Sequence, residues 1–334
     1  MKPPVVIYRL GSLGDTLVAL PCFHKIAEAF PQQRKLVLTN VPVSSKAAPL
    51  AVILQPGGFI DGVIEYPLQL RSVRSLWHLR RQLRNTGAST LIYLAANRGR
   101  LAVWRDVLFF KLCGFKKIIG APLTADLLEN RKNPVDGTEE PEAERLARTL
   151  HSLGAIELNR ADAWDLRLTS REAEAADRAI ATLAGQPFFA VNMGGKVAPK
   201  DWGEANWHAL IDQLAVEYPE LHLVVVGAAE DAPRADALLS RWPAGRVSVC
   251  GTLSPRECAA VLAQARFFIG HDSGPLHLAA TMQTACVGLF GNYNHPKKWH
   301  PYGQKHRILH DMRGVQAITV EEVVSAVRQV APHG

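Results

Sequence analysis

Two stretches of the 334-residue chain carry residue types that could do chemistry together. The first is Gly11-Ser12-Leu13-Gly14-Asp15, which follows the apolar run Val5–Arg9 and precedes a helical stretch from Thr16. Its glycines permit a tight turn that bares backbone N–H groups. A carboxylate at the carboxyl end of a first strand is placed to take a proton from an attacking hydroxyl; the same residue would serve equally as a helix cap. The spacing matches neither a dinucleotide fingerprint nor a Walker loop. The second stretch is His271-Asp272-Ser273-Gly274-Pro275-Leu276-His277, after the buried run Phe267–Gly270. Pro275 suits a first helical position, with Asp272 or Ser273 as the cap. The N–H groups of Ser273, Gly274 and Leu276, with the Ser273 hydroxyl, would then converge on an anion such as a diphosphate, with no need of a metal. His277, one turn in, would touch a phosphate or simply pack.

Other groups would complete such a site. Lys196 and Lys200 stand in the loop after Phe188–Asn192, and either could meet the phosphates as a cation. Glu230 and Asp231 follow the run Leu221–Val226, where a carboxylate can accept from ribose hydroxyls or cap a helix. Residues 71–84 carry five arginines, among them Arg71 and Arg74, with Val73, Leu76, Trp77 and Leu83 predicted on one packing face. With Arg98, Arg100, Lys116 and Lys117 the basic face would bind an anionic surface. The polar and aromatic loop Gly291–Gly303, with Asn292, Asn294 and His295, suits sugar contact.

These residues need elements to hold them. Short β-branched runs alternate with amphipathic stretches, which predicts βα units and parallel sheets. Strands are expected at Val5–Arg9, Leu36–Thr39, Val63–Tyr66, Thr90–Leu94 and Lys117–Ile119, and again at Phe188–Asn192, Leu221–Val226, Val247–Val249, Phe267–Gly270, Ala285–Phe290 and Arg307–His310. Helices fall near 16–30, 71–86, 99–114 and 141–153, then near 170–184, 204–217, 230–241, 254–265, 275–282 and 319–331. Pro21 would kink the first helix or mark its true start. Two successive sets imply two Rossmann-like domains, 1–165 and 166–334, with the boundary inside 155–187; eleven strands do not suit an eight-stranded barrel.

Composition sets the class. With 48% hydrophobic and 21% charged residues the chain can bury a core, and no apolar run is long enough to span a bilayer. No secretory signal is read at the N-terminus, and five scattered cysteines point to idle thiols in a reducing cytoplasm rather than to disulfides or zinc. The first 150 residues carry a net +9 and the remainder −2, so the first half should meet something anionic. No aromatic platform repeat accompanies the charge, so nucleic acid is not expected.

The ordered set Arg9 to Asp15 with Pro21, Lys200-Asp201-Trp202 with Trp207, Gly227 to Asp231, Asp272 to Ala280, and Gly291 with Pro301-Tyr302-Gly303 resembles the family 9 glycosyltransferases, the ADP-heptose:lipopolysaccharide heptosyltransferase group. The resemblance covers most of the chain. It implies an α/β GT-B fold, two Rossmann-like domains with parallel sheets facing across a cleft, the last helix crossing back to the first domain. It also implies an inverting, metal-independent transferase without cofactor, whose donor is ADP-heptose or a related nucleotide sugar. The acceptor would be an anionic glycolipid of lipopolysaccharide-core type, met on the N-terminal domain at the cytoplasmic face of the inner membrane. Asp15 then matches the catalytic base. Lys200, Asp272, Ser273, Gly274 and His277 match the donor-diphosphate site, and Glu230 or Asp231 the ribose site. Gly11, Ser12, Gly14, Arg71, Arg74 and Arg98 fall to the glycine turn and the acceptor. The family's Gly-Pro-Thr-Asp-Pro loop is replaced by Gly291-Asn292-Tyr293-Asn294-His295-Pro296, which leaves open another donor sugar, a surface-polysaccharide acceptor, or a GT-B sugar-nucleotide epimerase.

Overall fold

The structure, a computed structural model, describes residues 2–41, 49–67, 72–194 and 197–332. They form two compact units, divided between Leu166 and Arg167. The first unit holds a parallel sheet of order β3-β2-β1-β4-β5, with β1 Val5–Tyr8, β2 Lys35–Val41, β3 Gly62–Pro67, β4 Thr90–Tyr93 and β5 Lys117–Ile119. Its helices are α1 Leu13–Val18, α2 Leu20–Ala29, α3 Leu50–Leu54, α4 Val73–Asn85, α5 Arg100–Leu112, α6 Ala125–Leu128 and α7 Glu142–Thr149. β1 is buried along its whole length, as a strand covered on both faces must be. Val6 and Tyr8, with Leu91 and Tyr93 of β4, pack on Leu79 and Leu83 of α4 and on Val103 and Phe110 of α5.

The second unit holds a parallel sheet of order β11-β10-β9-β6-β7-β8. Its strands are β6 Phe188–Asn192, β7 His222–Val225, β8 Arg246–Ser248, β9 Phe268–His271, β10 Cys286–Phe290 and β11 Arg307–His310. Its helices are α8 Ser170–Ala179, α9 Glu204–Glu217, α10 Ala232–Leu239, α11 Pro255–Leu262, α12 Gly274–Thr281 and α13 Val320–Val330. The core runs from Phe189, Val191 and Ile269 to Trp207, Leu210 and Leu214 of α9. Trp202 and Trp207 meet edge to face at 5.4 Å.

Each sheet reverses its strand order once, and such a switch point is where open α/β sheets bind ligands, outside the carboxyl ends of the strands. In the first unit the reversal lies between β1 and β4, and in the second between β6 and β9. The chemistry-bearing loops follow these strands: Asp15 after β1, Arg98 after β4, Lys200 after β6, and Asp272 with Ser273 after β9.

Three expectations change. The single helix near 16–30 is two, broken at Ala19 because Pro21 can occupy only the first turn of α2. The short helices α3 and α6 were not expected. On α4 the packing row is Leu79 and Leu83, one turn apart, while Val73, Leu76 and Trp77 point to solvent. α13 packs Val320, Val323, Val324 and Val327 into the core of the second unit. Its start is capped by Thr319, whose hydroxyl accepts from Glu322 N at 3.2 Å while the Glu322 carboxylate accepts from Thr319 N at 2.7 Å.

Candidate functional site

In the first unit Ser12 caps α1, and Asp15 sits in its first turn. The Asp15 Oδ2 accepts from Ser12 N at 2.7 Å and Ser12 Oγ at 2.8 Å; Oδ1 takes neither bond. Gly11 makes this possible. Its φ is +120°, and a Cβ there would stand 2.6 Å from the Asp15 side chain, so no other residue fits the turn. Gly14 lies within α1. Beneath the turn Arg9 is fully buried and donates to Leu94 O at 2.8 Å and to the Asp15 carbonyl. Burial pulls its pKa down, and Asp15 and Glu142 act against that pull. Asp15 therefore caps the helix with one oxygen, and neither of these bonds uses the other.

Arg98 is anchored through Nη1. Its guanidinium donates to Tyr8 Oη at 2.6 Å and to Asp106 Oδ2 at 3.1 Å, and Tyr93 Oη donates to the same carboxylate oxygen at 3.0 Å. Burial raises the pKa of Tyr8, Tyr66 and Tyr93, so these phenols stay protonated donors. Arg74 is exposed, and Arg71 lies outside the described residues.

In the second unit the β6 and β9 loops are joined directly. Asn192, at the end of β6, donates to Val226 O at 2.8 Å and accepts from Ser273 Oγ at 3.1 Å. The Ser273 hydroxyl also lies within reach of His271 O at 3.2 Å, so it ties the loop to the strand ends. Ser273 caps α12, Gly274 opens it, and Pro275 takes its first turn. The first intrahelical bond is His277 N to Ser273 O, so the Gly274 and Leu276 amides lack a helical acceptor.

The Asp272 carboxylate pairs with Lys200 Nζ at 2.6 Å and accepts from Asn294 Nδ2, while the ammonium lies 4.5 Å over the Tyr293 ring. The lysine is thus fixed at the mouth of α12. Lys196 lies outside the described residues. His277 is buried in the first turns of α12. Asn292 and His295 are exposed.

Between the two ribose candidates the geometry separates roles. Asp231 accepts from Ala228 N at 2.9 Å and packs so closely under Gly194 and Gly227 that a Cβ on either would strike it. It is a structural cap; Glu230, beside it, is exposed. Asp201, next to Lys200, is held low by the Arg234 fork at 2.9 and 3.2 Å, against the upward push of burial. Among the described residues no group of three His, Cys, Asp or Glu is placed to hold a metal ion.

The family model described as glycosyltransferase family 9 (heptosyltransferase) matches residues 79–323. This chain belongs to that family. Within it, lipopolysaccharide heptosyltransferase 3 of Escherichia coli is 28% identical over 119 residues, 35% of this chain and 35% of that protein, so the match covers about a third of the relative's length. A glycosyl transferase family 9 structure from Veillonella parvula aligns over 99% of this chain and 98% of its own at TM-score 0.71 and 17% identity. E. coli ADP-heptose lps heptosyltransferase II aligns over 98% of both chains at 0.68 and 16%. E. coli heptosyltransferase WaaC, solved with ADP, aligns over 98% of this chain and 100% of its own at 0.68 and 19%. The family's GT-B-like fold, two parallel sheets with their helices, is the fold of this chain.

Sequence reasoning gave Arg9 and Asn192 no role of their own in these sites. Arg9 directly follows β1 and Asn192 ends β6, at the two switch points, and that position was the available signal. A second set of groups is half-buried near α12: His300 Nε2 and His310 Nδ1 share a hydrogen bond of 2.8 Å against Phe290. Burial lowers His271 to about 4, His300 to about 3 and His306 to about 4. Their folded pKa values lie below the ordinary 6.5, so the stability they contribute is present above that pH and is lost as pH falls through it. We expect the second unit to lose at most about 2 kcal/mol for each of the three between pH 7.5 and pH 5, at 1.36 kcal/mol per pH unit. Urea midpoints followed through the tryptophans would check this; a midpoint flat across that range contradicts it.

Proposed function

We propose that the chain is an inverting glycosyltransferase that moves a heptose, or a related sugar, from an ADP-sugar to a lipopolysaccharide-core-type glycolipid. It would work at the cytoplasmic face of the inner membrane. The observation that carries the reading is the placement of a carboxylate at the switch point of one sheet, and of bare helix amides with a fixed lysine at the switch point of the other, in a chain of family 9. In this reading the first unit handles the acceptor and the second the donor. The donor diphosphate rests on the Gly274 and Leu276 amides and Lys200, with Glu230 on the ribose. Asp15 takes the proton of the acceptor hydroxyl. The acceptor oxygen bonds to the anomeric carbon from the side opposite the nucleotide, and the bond to the ADP oxygen breaks. Charge grows on that oxygen as it leaves, and fixed amide dipoles with an ammonium stabilise it without rearranging.

The test is transfer itself: ADP release, and a mass gain of one heptose on a core-type acceptor. No release with any ADP-sugar, or release of an epimerised sugar nucleotide without acceptor, counts against the reading. Because Asn292, Asn294 and His295 replace the family's loop residues, other nucleotide sugars should be screened in parallel for thermal stabilisation. Lys200→Ala should raise donor KM roughly 10–100-fold, the worth of a charged hydrogen bond. It also leaves the Asp272 charge unpaired where a diphosphate must come. Adding Asp272→Asn to it should recover part of the loss, and a double variant no better than the single would remove the phosphate role.

A further inference from the structure

α5 is apolar on two sides. Val103 and Phe110 are buried against the sheet, as expected. Leu101, Trp104, Leu108 and Leu112 form a second row at helical spacing, and they are 87, 53, 62 and 59% exposed. A helix apolar all round belongs inside a core or against another apolar medium. Neighbouring α4 does the same: Leu79 and Leu83 are buried, while Val73 and Trp77 are 80 and 61% exposed. Arg80 Nε donates to Leu112 O at 3.0 Å and ties the middle of α4 to the end of α5, so the two rows lie on adjoining helices. From Leu101 to Leu112 the α5 row runs about 16 Å.

The charge around these rows selects the occupant. Between residues 72 and 117 ten lysines and arginines stand against one acidic residue, Asp106, and Arg98 and Arg105 already pair with it. Arg74, Arg81 and Arg84 on α4 are exposed and make no ion pair among the described residues. A second copy of this chain would set this cationic surface against itself. An anionic bilayer would not: its headgroups attract the arginines, while Trp and Leu side chains enter the boundary of the acyl chains.

We propose that α4 and α5 together form a monotopic membrane-docking surface, with the row Leu101, Trp104, Leu108 and Leu112 inserted below the headgroups and Arg74, Arg81 and Arg84 on the phosphates. The proposal deepens the reading of a membrane-held acceptor, yet vesicle binding tests it without donor or acceptor. Full-length protein should sediment with vesicles of phosphatidylglycerol and phosphatidylethanolamine, more weakly as salt rises, and not with phosphatidylcholine alone. Tryptophan emission should shift to the blue on binding, carried by Trp77 and Trp104, since Trp164, Trp202, Trp207 and Trp242 are already buried and the half-buried Trp299 belongs to the second unit. The triple variant Leu101→Ser, Trp104→Ser, Leu108→Ser should bind at least about tenfold more weakly while still transferring to a short water-soluble acceptor. Its side chains are exposed, so the fold is kept, and circular dichroism confirms that. Arg74→Gln, Arg81→Gln, Arg84→Gln should weaken binding about a hundredfold at low salt. Wild-type protein that ignores anionic vesicles overturns the proposal, as does a serine variant that binds like wild type. A dimer that the serine variant dissociates also overturns it, by naming a second copy as the occupant.

Discussion

Replacing Asp15 by asparagine is expected to lower turnover roughly 10²–10⁴-fold, the usual worth of a positioned proton acceptor. The amide is isosteric, and its oxygen can still accept from Ser12 N, so α1 keeps its cap and the turn keeps its shape. What it loses is the ability to carry off a proton. Donor affinity should stay within about twofold, because the groups assigned to the donor sit in the other unit, on α12 and at Lys200, so the loss should fall on kcat. Two results separate the roles of this residue. If the carboxylate served only as a cap, the variant would turn over nearly normally, with at most a small fall in melting temperature. If donor affinity fell in step with turnover, Asp15 would be holding the nucleotide and not the acceptor proton. Single-turnover rates with bound donor, beside calorimetric donor affinity, distinguish all three cases.

How much of this was visible in the residues follows from what each signal measures. Every expected strand is present: those buried on both faces are continuous apolar runs such as Val5–Tyr8 and Cys286–Phe290, and the more exposed edge strands follow from the alternation of strand and helix. Helix boundaries followed where a residue has one physical option: Pro21 in a first turn, Thr319 as a cap with Glu322. The orientation of α4 did not follow. Periodicity treats Val73 and Trp77 as core candidates equal to Leu79 and Leu83, and only the sheet decides which row packs. Backbone-built features of the site were legible for the same reason as the strands: the α12 terminus is a consequence of Ser273 and Pro275. Side-chain pairings were not. Nothing in the spacing of Lys200 and Asp272, 72 positions apart, says that one neutralises the other, and a charged residue such as Arg9 gives no sign of full burial.

That burial sets up the second large effect. Arg145 is fully buried and grips Glu142 with two bonds, Nε to Oε2 at 2.8 Å and Nη2 to Oε1 at 2.5 Å. Its remaining donors go to Ala95 O and Leu127 O, each at 3.2 Å, and Asn130 Nδ2 lies 3.2 Å from Glu142 Oε2. Arg9 is near enough to feel both charges. Glu142→Gln would therefore leave two guanidinium groups buried with one carboxylate fewer, and uncompensated buried charge of this kind costs about 3–5 kcal/mol. For a unit of this size that is roughly 10 °C or more of melting temperature. The damage should come from the unpaired charge and not from the lost contact, which a double variant can tell apart. Glu142→Gln with Arg145→Met removes both charges, and it should melt above the Glu142→Gln single variant. Additive losses in the double variant would mean that the pair holds the fold by packing and hydrogen bonds alone. The same cluster supports the turn that carries Asp15, since Arg9 ties the Asp15 carbonyl to Leu94. Glu142→Gln should accordingly lower kcat even at temperatures where the unit remains folded, and recovery of kcat in the charge-balanced double variant would show that the burden on Asp15 is electrostatic.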